Sequence, residues 1–325
     1  MEKPTFKISF PITEEDIPTI TEALESQKRL AVEDLYRLLR EATDIMNKRE
    51  NIATISLPVG KRATVIGDVH GQFYDLLHII RKDGGPSADC VYIWNGDMID
   101  RGSFGVEIVI LVCSYLLVYP DSVYVNRGNH ESRYCTPQYG FQSEVAHKYP
   151  QRDSFDHFIL FFESLPLATI VNSHTFIVHG GLPSVDGVSL ADINGLDRHR
   201  EPDDDVMGNL LWADPSVTEG FAPSYRPFCQ RFGPDVTKRF LAHNKLKRVI
   251  RSHEMAPYGY SEPHSGILYT LFSAPKYMGV GDNLGAFAHL TPTSTGDLKL
   301  EFEPFEASPH PAAPSYTSPA TCDIV

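Results

Sequence analysis

A chain of 325 residues with 42% hydrophobic side chains can bury a sizeable core, and its interspersed glycine and proline fit a globular protein rather than a fibre or a repeat array. The formal net charge of −13 excludes broad electrostatic attraction to nucleic acid, which needs Lys and Arg to neutralise phosphates, so any phosphate recognition has to be local. Five scattered cysteines with no CxxC pair argue against a disulfide framework or a thiolate zinc site, and no apolar run reaches the roughly 18 residues of a membrane span.

Residues 1–13 read as an extended arm. Met1-Glu2-Lys3-Pro4 has neither a secretory pattern nor the second-position glycine of myristoylation, so a cytoplasmic or nuclear protein is expected. Thr13 and Asp16 resemble a capping box opening a helix with Ile17, Ile20, Ala23 and Leu24 on one face. A second helix follows from Leu35, Leu38, Leu39, Ala42, Ile45 and Met46 at i, i+3, i+4, i+7 spacing. Residues 1–54 are therefore expected to be an N-terminal arm and helices packed on a main domain of residues 55–305.

From Lys61 the pattern is α/β. Residues 63–66, 91–94, 123–125 and 175–178 are short β-rich runs, and residues 72–81, 106–117 and 154–162 read as helices between them. Beyond residue 246 the runs 248–250, 267–272, 286–290 and 298–302 follow closely and suggest a second, more antiparallel sheet. The expected fold class is thus α/β, with two packed mixed β-sheets flanked by helices in a single domain. Residues 306–325 are rich in Pro, Ser, Ala and Thr and are expected to form a disordered tail. The closing Cys322-Asp323-Ile324-Val325 has the C-a-a-X form, but Val is an atypical last residue and no polybasic stretch precedes it; a free thiol is expected rather than a prenyl group.

Chemistry concentrates where the strands end. Gly67-Asp68-Val69-His70-Gly71, Gly96-Asp97-Met98-Ile99-Asp100-Arg101-Gly102 and Gly128-Asn129-His130-Glu131 each follow an apolar run, as do His179-Gly180-Gly181 and Arg251-Ser252-His253-Glu254. Five strand ends thus offer carboxylate, amide or imidazole donors at the edge where α/β sheets place their ligands, as a dinuclear metal site requires. Such donors suit Mn, Fe or Zn, and the missing thiolates argue against a closed structural zinc site.

The ordered set GDVHG, GDMIDRG, RGNHE, HGG, LLWADP (210–215), FGPDVT (232–237), RSHE and SAPKY (273–277) closely resembles the metal-dependent phosphoprotein phosphatases that act on phosphoserine and phosphothreonine. The stretches 70–77 and 232–238 are nearest the catalytic domain of the protein phosphatase 5 branch. That branch normally carries tetratricopeptide repeats upstream; the residues before the resemblance are too few for them, so regulation through such repeats is not expected. The resemblance, from about residue 15 to about residue 304, implies a metallophosphoesterase-like β-sandwich. It implies that Asp68, His70 and Asp97 hold one divalent cation, and Asp97, Asn129, His179 and His253 a second, with Asp97 bridging; Mn is the expected metal in vitro. Two aspartates cannot cancel two divalent cations, so the site stays positive, attracts phosphate and acidifies a bridging water into the attacking hydroxide. Arg101, Arg226 and Tyr277 are implied phosphate contacts, and His130 the general acid, oriented by Asp100. Arg127 and Arg251 fit structural support as well as substrate contact, and Asp214 shapes the groove rim. Phosphoprotein substrates and regulatory proteins are the implied partners.

Three positions depart from the family pattern. Pro227 stands where Gly usually follows the second clamp arginine, Lys276 replaces Asn, and Met278 replaces the Cys that some inhibitors capture. Two alternative readings share the motifs: a metallophosphoesterase for small phosphoesters or dinucleoside polyphosphates, and a catalytically weak scaffold that keeps the fold.

Overall fold

The computed structural model describes residues 4–317. In chain order its main strands are β1 (Ile52–Ile55), β2 (Arg62–Ile66), β3 (Cys90–Trp94), β4 (Val123–Val125), β5 (Ala168–Val171), β6 (Thr175–Val178), β7 (Arg248–Arg251), β8 (Tyr260–Ser261), β9 (Leu268–Leu271), β10 (Gly285–Pro292) and β11 (Leu298–Phe305). The main helices are α1 (Asp16–Glu25), α2 (Val32–Met46), α3 (Phe73–Asp83), α4 (Gly105–Val118), α5 (Phe141–Lys148), α6 (Ser154–Ser164), α7 (Val206–Trp212) and α8 (Pro234–Asn244).

The strands form a six-stranded sheet in the order β8-β9-β7-β6-β5-β1 and a five-stranded sheet in the order β11-β10-β2-β3-β4. Both are mixed: β2, β3 and β4 run parallel while β10 joins β2 antiparallel, and β6, β7 and β9 run parallel while β5 opposes β6. Side-chain alternation explains why they stack. In β3, Val91 and Ile93 point into the layer between the sheets, where Ile177, Ile250 and Leu271 of the other sheet meet them, while Tyr92 and Trp94 face the helices. Helices α1 to α6 cover the outer face of the five-stranded sheet, and α7 and α8 cover the other. Helix α4 is apolar around nearly its whole circumference and is correspondingly enclosed. Among the described residues no helix is long and apolar enough to cross a membrane.

The fold class is as expected, but the chain divides its strands differently. The C-terminal strands do not make a sheet of their own: α8 returns the chain so that β7 lies parallel to β6, whereas β10 and β11 form a hairpin added to the edge of β2. The expected boundary at residue 54 falls inside β1, which pairs with β5, and the apolar faces of α1 and α2 enter the core shared with α3 and α4. The Thr13–Asp16 pair is half a capping box, the Asp16 carboxylate accepting from the Thr13 amide and hydroxyl.

The expectation of a disordered tail is corrected for residues 306–317. They carry no helix or strand, yet they lie along the surface with specific contacts: the Ser308 amide donates to Asp75, the Pro314 carbonyl accepts from Ser103, and Ala313 packs on the core. The prolines that keep this segment out of regular structure also stiffen it, so it need not fold on itself to be ordered. Cys322 lies outside the described residues.

At the sheet edge opposite the motifs, Asp83 at the end of α3 accepts from Thr64 (2.6 Å), Tyr92 (2.5 Å) and His289 (2.9 Å) and pairs with Arg62 (2.8 Å). Burial alone would raise its pKa; the hydrogen bonds from His289, Thr64 and Tyr92 and the Arg62 charge outweigh it and hold the group at about 2, against an ordinary value of 3.8. A depressed carboxylate contributes stability that is present above pH ~4 and is lost as the pH falls towards ~2. Asp83→Asn should therefore unfold more easily than the parent at neutral pH, by on the order of 2 kcal/mol, and the gap should narrow in thermal melts taken from pH ~4 downwards.

Candidate active site

Every motif donor lies just beyond the C-terminal end of a strand, and both sheets contribute. Asp68 and His70 follow β2, Asp97 follows β3 and Asn129 follows β4, while His179 and His253 follow β6 and β7. A polar relay ties these ends together. Asn95 donates to the Val178 carbonyl (2.8 Å) and to Ser252 (2.9 Å) and accepts from Asn126, which in turn accepts from Thr169. The relay crosses from one sheet to the other directly beneath the donors.

Asp97 is the centre. It is buried, and its Oδ2 lies 3.4 Å from His179 Nε2, 3.6 Å from His70 Nε2 and 3.9 Å from His130 Nε2. Its Oδ1 accepts the His130 amide at 3.0 Å. Asp68 lies 3.8 Å from His70 Nε2 and 3.7 Å from His179 Nδ1, and accepts the His253 amide. Asn129 Oδ1 is 2.9 Å from His179 Nε2, whose Nδ1 donates to the Asn95 carbonyl at 2.8 Å. Among the described residues two groups of side chains could each hold an ion, one of His70, Asp97 and His130, the other of Asp97, His179 and His253, with Asp97 common to both. The first differs from the expected trio by taking His130, while Asp68 stands beside it.

The chemistry of this donor set fits divalent cations. Burial drives the imidazoles of His70 and His253 towards the neutral form that ligates, holding His70 at about 3. His253 Nε2 is buried without a hydrogen-bond partner, which is unusual for an imidazole that serves only packing. His179 behaves oppositely: burial would lower its pKa, but Asp97 and Asp68 lift it to about 9. Burial pushes the Asp68 carboxyl up, whereas the surrounding imidazoles, His179 first, hold Asp97 far below the carboxylate range against the same burial. With protons in place of cations, the two aspartates compete for one cluster of positive charge.

The remaining expected residues ring this cluster. His130 Nδ1 is 2.7 Å from Asp100 Oδ2, and Asp100 also accepts the Phe141 amide. Burial works against a charged His130; Asp97 and Asp100 prevail and raise its pKa. The Arg101 guanidinium lies 4.2 Å over the Tyr139 ring. Arg226 is oriented by Asp214, whose other oxygen accepts from Arg251 at 2.7 Å. Tyr277 lies 5.2 Å from the His70 ring. Arg127 and Arg251 are fully buried and spend their donors on carbonyls such as those of Glu131 and Gly180, so both are structural supports.

Sequence reading missed three supporting groups. Glu131 accepts the amides of Asp97, Met98 and Gly128, each at 2.8–2.9 Å, and so clamps two motif loops together. Its place directly after His130 in the motif is the only sequence signal. Asn95 and Tyr139 had none. Gly128 is required by contact: a Cβ there would stand 2.3 Å from Asp97 Oδ1. Of the three departures, Pro227 leaves Arg226 bound to Asp214 and is followed by Phe228 at a φ of 63°, a conformation that Gly adopts more readily. Lys276 is exposed, and Met278 Sδ lies 3.9 Å from the Arg101 guanidinium.

Comparison with known proteins agrees with this geometry. The calcineurin-like phosphoesterase profile matches residues 61–257. Serine/threonine-protein phosphatase 5 of Arabidopsis thaliana is 43% identical over 301 residues, covering 92% of this chain and 55% of that protein. The Homo sapiens protein of the same name is 42% identical over 288 residues, covering 88% of this chain and 57% of the relative. The chain thus spans little more than half the length of these curated relatives. A solved Saccharomyces cerevisiae protein serine/threonine phosphatase, described as similar to human phosphatase PP5, superposes with a TM-score of 0.85 at 36% identity, covering 90% of this chain and 97% of that one.

The donor set has a direct test. Calorimetric titration of the purified protein with Mn2+ should show saturable uptake accompanied by a higher melting temperature that EDTA reverses. Asp97→Asn should abolish the tight uptake, because both donor groups use that carboxylate.

Proposed function

The chain belongs to the calcineurin-like phosphoesterase family, and from that membership we propose that it is a protein phosphatase acting on phosphoserine and phosphothreonine. The observation that carries the reading is the His130–Asp100 pair at 2.7 Å, whose free imidazole nitrogen faces the Asp97 cluster. A hydrolase of phosphoesters needs a proton donor at that position, because the leaving alkoxide is strongly basic. Similarity to serine/threonine phosphatases along about nine-tenths of the chain, well outside the metal motifs, favours a protein substrate over a nucleotide.

Asp68, His70, Asp97, Asn129, His179 and His253 would hold two divalent cations, Mn, Fe or Zn, which when bound supply Lewis acidity and an acidified water. The chain's own groups divide the remaining work. Arg101 and Arg226 approach from two loops, and their guanidinium forks suit the phosphoryl oxygens. Asp214 holds Arg226 in place, and the Tyr139 face steadies Arg101. Tyr277, beside His70, supplies a phenolic donor on the same side. Asp100 accepts the His130 Nδ1–H and, with Asp97, favours the imidazolium against burial, so that its Nε2–H is the proton given to the departing serine or threonine oxygen. A cytoplasmic or nuclear location is proposed on the scattered cysteines, which suit a reducing compartment.

With Mn2+ supplied, the protein should hydrolyse a phosphoserine peptide, and His130→Asn should lower kcat about 10²- to 10⁴-fold while retaining Mn2+ binding. Preference for dinucleoside polyphosphates over phosphopeptides would redirect the reading to small phosphoesters. Metal uptake without turnover of either would leave a scaffold.

A further inference from the structure

The turn that presents Arg101 is held in an unfavourable conformation. Asp100 and Arg101 have φ values of 68° and 65°, two consecutive non-glycine residues in the left-handed region. Within the domain the turn is fastened by the Arg101 amide donating to the Tyr139 carbonyl at 2.9 Å and by the Gly102 amide donating to the His70 carbonyl at 2.9 Å. Neither bond restrains the Arg101 carbonyl.

That restraint comes from the far end of the sequence. The Thr317 hydroxyl is shared between the carbonyls of Tyr139 (3.1 Å) and Arg101 (3.3 Å), the same pair of residues whose ring and guanidinium stack. The approach is built along its length. The Ser308 amide is anchored on Asp75 at 2.7 Å, the Pro314 carbonyl accepts from Ser103 at 2.7 Å, and the Tyr316 ring lies 5.6 Å from that of His147. Gly140, at a φ of 117°, leaves the room: a Cβ there would stand 3.0 Å from the Thr317 nitrogen and 3.1 Å from the Tyr316 carbonyl carbon. Pro309, Pro311 and Pro314 fix three backbone angles in advance, which lowers the entropy lost on docking.

We propose that residues 308–317 form a strap that holds the Arg101 turn in its phosphate-clamping conformation, with Thr317 as the positioning residue. The inference rests on the reading of Arg101 as a phosphate contact. Thr317 touches neither substrate nor the metal donors; it acts through the Arg101 and Tyr139 carbonyls. Ser103 and Lys148, whose ammonium donates to the Ser103 carbonyl at 2.9 Å, brace the next residue of the same turn.

The full chain tests this with Thr317→Val, which keeps the shape and removes the hydroxyl, and Thr317→Ser, which restores it. Amide hydrogen exchange over residues 98–104 should quicken several-fold in Thr317→Val and stay at the parent rate in Thr317→Ser. Binding of inorganic phosphate to the Mn2+-loaded protein, followed by calorimetry, should weaken roughly three- to tenfold in Thr317→Val, with Mn2+ affinity unchanged. In turnover of a phosphopeptide, KM should rise by a similar factor and kcat stay within about twofold. Unchanged exchange in Thr317→Val, unchanged phosphate affinity, or equal impairment in Thr317→Ser would overturn the strap. Arg101→Ala separates the two claims: if it leaves phosphate affinity intact, the clamp reading fails, and if it weakens phosphate while Thr317→Val does not, the strap alone fails.

Discussion

The structure is organised around one buried carboxylate. Asp97 sits where the ends of both sheets converge, with three imidazoles within 4 Å of one oxygen and a backbone amide on the other. An isolated ionised carboxylate cannot be taken out of water without several kcal/mol of compensation, so positive charge has to be close at hand. Every strand end that approaches it therefore brings a donor able to carry a proton or a cation. The two-sheet frame is what allows this: β2, β3 and β4 deliver Asp68, His70, Asp97 and Asn129 from one side, and β6 and β7 deliver His179 and His253 from the other.

Holding those ends together requires backbone conformations that side-chain-bearing residues disfavour. His70, Asp97, Asp100, Arg101 and His253 all have positive φ, each costing on the order of 1–3 kcal/mol. Such strain persists only where neighbours over-determine the geometry. Glu131 does this by accepting three amides from two loops, and the Asn95–Asn126–Thr169 relay does it across the sheet interface. Burial and the Asp97 charge push the Glu131 carboxyl upward, and the amides it accepts resist that shift, so its anionic form and the loop geometry support each other.

This division of labour explains what could be read from the chain alone. Donor residues were legible because each follows a short apolar run and carries chemistry uncommon at a plain turn; His70 and His253 announce themselves in GDVHG and RSHE. The helices were legible from periodicity, and α3, α4 and α6 lie within two residues of expectation at each end. Sheet membership was not, because β7 and β10 have similar apolar patterns and only long-range pairing sends one beside β6 and the other beside β2. Asn95 and Thr169 were equally silent, since a buried amide has no sequence signature apart from its partners. The segment 306–317 was misjudged because composition measures the capacity to build a core, and an extended strap needs only someone else's surface.

The groups that would hold metal and those that would meet substrate are secured by different means. Donors stand at the ends of strands locked inside a close-packed sandwich, where a shift of one would disturb both layers. Arg101, Arg226 and Tyr277 stand instead on loops, each tied by a contact of its own: Arg101 through Tyr139 and Thr317, Arg226 through Asp214, and the Tyr277 amide through Asn283. Pro227, Lys276 and Met278 all fall on these loops, and none touches the shared network beneath Asp97. Substitution there can reshape how substrate would be received while the charge balance around Asp97 stays intact, because these loops lie outside the Asn95–Asn126–Thr169 relay and the Glu131 clamp. The turn that follows Asp97 leads from the innermost donor to the outermost clamp in four residues, and for this reason its carbonyls are worth fastening from outside.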